Sequence, residues 1–209
     1  MSVVSLADVA PHHVAPGRGG GGPASTRIVV AYGFWIFLLS DIILFAGLFA
    51  AYAVLSGNAA GGPTGRELFD LRTAFIETMC LLVSSYTAGL GILSIEKQRP
   101  DLFYVFAGLT FLLGAAFLFI EISEFAGMIR EGAGPSKSGF LSAFFTLVGT
   151  HGAHVTAGLL WLVYMTAQVF VKGLRSHVRQ RLLCFSLFWH ALDIVWVGVF
   201  TLVYLMGGR

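Results

Sequence analysis

Ionisable side chains lie inside long apolar stretches of this 209-residue chain, where hydropathy alone would not place them. The candidate functional residues are Asp41, Glu77, Glu121, Glu124, His151, His154, His190 and Asp193. Six of them form pairs spaced three residues apart, and on a helix residues with this spacing share a face. An ionisable group at the centre of a spanning helix costs about 2.5–3.5 kcal/mol on insertion scales, so such groups usually face protein or water. We therefore expect an internal polar network.

Carboxylates and imidazoles in this pattern are compatible with several functions. Three histidines on two helices could bind haem or a metal, because imidazole is a common ligand and helix bundles host such sites. Buried carboxylates and histidines are also the parts of a proton or ion pathway. Alternatively, the groups fix helix register or hold lipid head groups in a bundle that docks onto a larger membrane complex. The simplest alternative is a hydrogen-bonded polar core with no further role.

Two observations weigh against the first two of these functions. A bis-histidine haem site needs ligands at matched depth on facing helices, and the positions of His151 and His154 along their apolar run do not suit this arrangement. The sequence also shows neither the broken helices nor the inverted repeat that are typical of transporters. Both functions nevertheless stay open as alternatives.

Five continuous apolar runs contain these residues and must position them, at about 28–55, 73–95, 102–129, 140–171 and 183–206. Each run is at least about 20 residues long, and an α-helix of that length crosses the roughly 30 Å hydrocarbon core of a bilayer. Of all residues, 56% are hydrophobic and only 11% are charged, against roughly 25% charged in an average soluble domain. A soluble enzyme is therefore excluded. We predict an all-α integral membrane bundle of five transmembrane helices over residues 28–206.

The polar segments predict how this bundle lies in the membrane. Residues 1–27 contain three prolines and a run of glycines, which is typical of a flexible tail. Most of the 13 Lys and Arg residues fall on the side of the N-terminus, at Arg18, Arg27, Lys97, Arg99, Lys172, Arg175, Arg179 and Arg181. Because cytoplasmic loops are enriched in Lys and Arg, we expect a cytoplasmic tail and a periplasmic C-terminus. The small net charge of +2 does not indicate a nucleic-acid surface.

Spacing also predicts how two of the helices pack. Trp189, Asp193, Trp196 and Phe200 recur at helical spacing and predict one stripe on the fifth helix. Gly149, Ala153 and Ala157 form a pattern of small residues that permits close approach of another helix. A ring N–H of His190 could reach the carboxylate of Asp193 and keep both groups paired in low dielectric.

Two motifs on successive runs resemble subunit III of the haem–copper respiratory oxidases. Residues 189–196 read WHALDIVW and resemble the family's W-H-x-x-D-x-V-W signature, and residues 151–158 read HGAHVTAG and resemble its H-G-x-H-V-x-x-G segment. Residues 40–47, 81–85 and 121–125 are similar to the corresponding stretches of the family, so that the resemblance covers nearly all of residues 28–206. Within the family the chain resembles the bacterial cytochrome o (bo-type) ubiquinol oxidase branch, because it has five runs where cytochrome c oxidase relatives typically have seven. It departs from the latter at Asp41, where they usually have Glu.

The resemblance implies a non-catalytic supporting subunit of a proton-pumping terminal quinol oxidase, which oxidises ubiquinol and reduces oxygen to water in the bacterial inner membrane. It implies subunits I, II and IV as partners, haems and copper in subunit I and none in this chain, and bound phospholipid. Asp41 and Glu77 are then candidates for the face toward subunit I, and the other six residues for a network within the third to fifth helices. The alternatives are subunit III of a cytochrome c oxidase, a stand-alone membrane transporter and a haem-binding protein.

Overall fold

The computed structural model describes residues 26–57 and 70–207, and within these ranges the chain is helical without any strand. The helices are α1 (Thr26–Leu55), α2 (Leu71–Glu96), α3 (Pro100–Arg130), α4 (Gly139–Lys172) and α5 (Ser176–Val199), and α5 continues into a π-helical segment, Phe200–Leu205. All five are long and apolar enough to cross a membrane. The prediction of five spanning helices is thus confirmed. The predicted tail lies outside the described residues, except for the backbone of Thr26 and Arg27 in α1.

Helices α2, α3, α4 and α5 form a closed ring, and α1 lies outside it. Helix α2 packs against α3 and α5, and α4 packs against the same two helices from the other side. Helix α1 packs on α4 and α5. Only 11% of its most apolar stretch is buried within the chain, against 50% for α2. Helix α1 therefore leaves most of its apolar surface to lipid or to another protein.

Side chains at the helix ends satisfy backbone groups that have no partner within the helix. Asp70 caps α2, because its carboxylate accepts hydrogen bonds from the backbone N–H of Arg72 (3.0 Å) and the hydroxyl of Thr73 (2.8 Å). These bonds, with that from Thr73 as the larger cause, hold the pKa of Asp70 below its ordinary value. Ser138 caps α4 by accepting from the backbone N–H of Leu141 at 3.2 Å.

Helix α5 differs from its apolar run at both ends. It begins at Ser176, well before the run starts at Leu183, because its first turns are amphipathic: Val178 and Leu182 are buried whereas Arg179 is exposed. Average hydropathy does not detect a helix of this kind. At the other end, the wider π-helical turn accompanies a fully buried Tyr204 in the interior of the ring.

The stripe predicted on α5 faces inward, since Trp189 and Trp196 are buried. Glycines make room for the first of these rings: a Cβ on Gly158 would lie 2.8 Å from Cζ3 of Trp189, and one on Gly114 would lie 3.1 Å from its Cη2. Close approach therefore takes place at these two glycines.

The small-residue surface predicted on α4 does not pack against another helix of the described chain, because Ala153 and Ala157 are exposed. Close approach of a helix from another subunit at this surface stays a prediction. The spacing of small residues identifies a helix face, but it does not say which neighbour that face meets.

Candidate functional site

Hydroxyl groups of α2 pair with the two buried indoles of α5. Nε1 of Trp189 donates to Oγ of Ser84, and Nε1 of Trp196 donates to Oγ1 of Thr78, both at 3.1 Å. The four side chains are buried. These bonds fix the position of α5 along α2.

A third hydroxyl of α2 pairs with His190. Oγ of Ser85 lies 2.6 Å from Nδ1 of His190, and the carboxyl of Asp193 lies close enough to interact with the same hydroxyl. Oδ1 of Asp193 is buried without a hydrogen-bond partner among the described residues. The predicted direct hydrogen bond between His190 and Asp193 was therefore wrong. Nδ1 of His190 pairs instead with the hydroxyl of Ser85 on the neighbouring helix α2.

Asp41 and His154 face each other between α1 and α4. Nδ1 of His154 lies 2.8 Å from the carbonyl oxygen of Thr150, and because a carbonyl only accepts, Nδ1 must carry the proton of this bond. Nε2 points to Oδ1 of Asp41 at 3.9 Å, which is too long for a direct hydrogen bond. Oδ2 of Asp41 has no partner among the described residues. His154 thus faces Asp41 on α1 with its polar edge, and its ring also contacts that of Phe188 on α5, at 6.5 Å between centroids. The contact with α1 was not predicted, because His154 was assigned to a network within the third to fifth helices.

Three carboxyl groups, which we call the acidic cluster, lie inside the ring: Glu77 on α2 with Glu121 and Glu124 on α3. They are close enough to interact electrostatically. Both oxygens of Glu77 and Oε2 of Glu121 lack a hydrogen-bond partner in the described chain, while Oε2 of Glu124 accepts from the hydroxyl of Tyr204 at 3.2 Å.

Two details define the surroundings of the acidic cluster. A Cβ on Gly152 would lie 2.7 Å from Oε1 of Glu121, so this glycine makes room for the carboxyl group. Glu77 is fully buried, so the prediction that it faces subunit I was wrong. In residues 26–57 and 70–207, the only contact within 4.0 Å between an acidic and a basic side chain joins His154 and Asp41. No Lys or Arg of these ranges therefore lies within 4.0 Å of a carboxylate of the cluster, although unpaired buried charge is costly.

His151 occupies an aromatic environment. Its fully buried ring lies 5.1 Å from that of Trp196, 5.8 Å from that of Phe117 and 6.3 Å from that of Phe45, measured between centroids. Neither ring nitrogen has a hydrogen-bond partner among the described residues. His151 packs on aromatic rings, whereas His154 and His190 have polar partners of their own. In the described part of the chain, no group of three or more His, Cys, Asp or Glu side chains is arranged to hold a metal ion.

Four residues of this site were not among the predicted ones: Thr78, Ser84, Ser85 and Tyr204. Thr78 and Ser85 are two helical turns apart on α2, a spacing that places them on one face. Hydroxyls in spanning helices commonly bond to their own backbone, however, and Thr78 does so at 2.8 Å to Ala74. Their spacing alone could not show that they also reach α5.

The known proteins to which this chain is similar are named as subunit III of respiratory oxidases. The family described as cytochrome c oxidase subunit III matches residues 19–208. The chain is 54% identical over 176 residues to cytochrome bo(3) ubiquinol oxidase subunit 3 of Pseudomonas aeruginosa, and 51% identical over 175 residues to that of Pseudomonas putida. It is 44% identical over 175 residues to cytochrome c oxidase subunit 3 of Bacillus sp. PS3. Each match covers 84% of this chain and 84% of the relative.

Proposed function

The chain belongs to the cytochrome c oxidase subunit III family, and on this premise we propose that it is a supporting subunit of a terminal quinol oxidase. The observation that carries the proposal is the 54% and 51% identity to subunits of bo(3) ubiquinol oxidases, which exceeds the 44% identity to the cytochrome c oxidase subunit. With its five spanning helices, the chain is a multi-pass protein of the bacterial inner membrane. The oxidase that it serves oxidises ubiquinol and reduces oxygen to water.

We propose that the redox chemistry belongs to the other subunits. Haems and copper are assigned to subunit I, and subunits I, II and IV are the proposed partners. The different surroundings of the three histidines support this assignment: His190 pairs with Ser85, His154 bonds to the carbonyl of Thr150, and His151 packs on Trp196. They also weigh against the stand-alone haem-binding alternative.

Helix α1 is the proposed face toward subunit I. It exposes large apolar side chains, among them Trp35, Ile43 and Val54. Asp41 lies on this helix and is half-buried beside His154.

A second role for Asp41, in proton delivery, is tested by the ratio of protons pumped to electrons transferred in Asp41→Asn. A normal ratio in an intact complex would reject it.

The proposed role of the buried polar groups is to hold the helices in register. His190, with Ser85, connects α5 to α2, and His154, with Asp41, connects α4 to α1. Glu124, with Tyr204, connects α3 to the π-helical segment. Asp193 interacts with the same hydroxyl of Ser85 as His190 does. Asp193→Ala should therefore lower the amount of this chain in the purified complex more than it lowers turnover of the complex that remains.

We further propose a cytoplasmic N-terminus, a periplasmic C-terminus and bound phospholipid. Cationic residues support the orientation. The end of the bundle where α2 and α4 terminate carries Lys97, Arg99, Lys172 and Arg175, and cytoplasmic ends are enriched in such residues.

The test of the proposed function is purification in mild detergent by a tag on the N-terminus, followed by oxygen-uptake measurements with ubiquinol or with reduced cytochrome c as donor. We expect larger subunits in stoichiometric amounts, haem and copper in the preparation, and oxygen uptake with ubiquinol. Uptake with cytochrome c alone would instead support the cytochrome c oxidase alternative. A chain that purifies alone with bound haem would contradict membership of any such complex.

A further inference from the structure

A cavity of about 460 Å³ lies between the end of α2 and the start of α5. Its wall is apolar at Ile92, Ile95 and Leu183, and it carries charged side chains at Glu96 and Arg179. None of the eight candidate residues lines it. The volume falls within the range of about 300–1,000 Å³ that is usual for small-molecule sites.

The cavity lies at the end of the bundle where cationic residues are concentrated. Helices α2 and α4 end there, and α3 and α5 begin there. The two connections carry Lys97, Arg99, Lys172 and Arg175. Because the apolar parts of the helices occupy the hydrocarbon core, these ends lie at the level of the lipid head groups. A molecule in the cavity would thus meet apolar side chains toward the membrane interior and charged ones toward the head groups.

Two opposite charges on the cavity wall have no ionic partner among the described residues. Glu96 and Arg179 are both exposed, and neither lies within 4.0 Å of an oppositely charged side chain in the described ranges. The helix dipoles add to both charges. Arg179 lies near the start of α5, whose first turn has no acidic residue, and Glu96 is the last residue of α2, whose last turn has no basic residue. Arg179 therefore lies near the positive end of one helix dipole, and Glu96 lies at the negative end of another.

We propose that this cavity binds a zwitterionic aminophospholipid such as phosphatidylethanolamine. Arg179 binds the phosphate, Glu96 binds the ammonium group, and Ile92, Ile95 and Leu183 contact the acyl chains. A guanidinium group forms short, charge-assisted hydrogen bonds with phosphate, and the carboxylate explains a preference for a headgroup that also carries an amine. This inference specifies the lipid part of the proposed function and rests on it.

The test uses native mass spectrometry of the purified, delipidated oxidase complex, titrated with phosphatidylethanolamine or with phosphatidylglycerol, which lacks the amine. The wild type should bind phosphatidylethanolamine more tightly. Arg179→Gln should weaken binding of both lipids, by about tenfold for the loss of one charge-assisted contact. Glu96→Gln should weaken binding of phosphatidylethanolamine alone and so remove the preference. Arg175→Gln is the matched control, because Arg175 lies one turn away and does not line the cavity.

Several results would overturn the inference. Equal affinity of the wild type for the two lipids would remove the role of Glu96, and unchanged binding by Arg179→Gln would remove that of Arg179. Inorganic phosphate or glycerophosphoethanolamine competing as well as the intact lipid would show that acyl chains do not contribute. Density for another subunit in the cavity, in a cryo-EM map of the complex, would assign it to a protein contact.

The same wild-type preparation separates this inference from the proposed function. Absence of oxidase subunits and of ubiquinol-driven oxygen uptake would contradict the proposed function. An active oxidase that binds both lipids equally would contradict only the lipid site.

Discussion

The hydroxyl oxygen of Ser85 on α2 lies 2.6 Å from Nδ1 of His190 on α5. The two residues are 105 positions apart, so the contact joins helices that the chain connects only through α3 and α4. The bonds from Trp189 and Trp196 to Ser84 and Thr78 join the same two helices. The interface between α2 and α5 therefore depends on three hydroxyls, each with a ring of α5 as its partner.

Ser85→Ala removes the partner of His190 and leaves a partly buried ring nitrogen without this hydrogen bond. We expect the free energy of unfolding to fall by about 1 kcal/mol, since polar contacts between membrane helices are individually modest. The unfolding midpoint of the purified complex in detergent measures this effect. Ser40→Ala is the control, because the hydroxyl of Ser40 is exposed and bonds only to the carbonyl of Phe37 on its own helix. Equal midpoints for the two variants would show that the Ser85 contact does not stabilise the fold.

Gly158→Ala introduces a methyl group where the ring of Trp189 already lies, with only 2.8 Å to Cζ3. The indole is buried and held by Ser84, so we expect overpacking to cost about 1–3 kcal/mol and to lower the amount of the chain in the purified complex. Gly149→Ala on the same helix is the control, since its Cβ would lie 3.8 Å from Phe125, an ordinary contact. If both variants reach the wild-type amount, the close packing of α4 on Trp189 is not required.

His151→Leu tests whether this imidazole is a ligand or a packing residue. The ring lies among Trp196, Phe117 and Phe45, and neither nitrogen bonds to the described protein. We expect the stability to change by less than about 1.5 kcal/mol and the haem absorption per complex to stay at the wild-type value. Loss of haem absorption from a stably assembled complex would identify His151 as a ligand and favour the haem-binding alternative.

Asp70 gives the start of α2 a dependence on pH. Its pKa is lowered by the hydrogen bonds from Thr73 and Arg72, so the ionised form stabilises the helix start above the ordinary pKa, and this contribution is lost as the pH falls through the lowered pKa. Asp70→Ala should therefore exchange the amide hydrogens of residues 72–74 faster than the wild type at neutral pH. At acidic pH, where Asp70 is protonated, the exchange rates of the variant and the wild type should become equal.

Asp70→Asn is the control for this prediction, because it keeps an oxygen acceptor for the cap but cannot ionise. Its amide exchange should stay close to that of the wild type at neutral pH. Exchange by Asp70→Ala at the wild-type rate under the same conditions would show that the cap does not hold the first turn.

The number of spanning helices could be predicted from sequence, because each apolar run is long enough to cross a bilayer by itself. The partners of the buried polar side chains could not be predicted from sequence, because they depend on which helices are neighbours. Glu77 and Asp41 have the same type of side chain in similar apolar surroundings, yet one is fully buried in the ring and the other lies on the outer helix. The partners of His190 and His154 were misassigned for this reason. The motif of residues 189–196 identified the family, but it carries no information about Ser85 on α2.

We propose that this chain supports an oxidase whose chemistry takes place in other subunits. The most direct measurement follows ubiquinol-driven oxygen uptake by the purified complex with and without this chain, together with its haem and copper content. We expect the depleted complex to keep its haem, copper and initial rate but to lose activity sooner during sustained turnover. A depleted complex that lacks haem or copper, or that has no initial activity at full haem content, would contradict it.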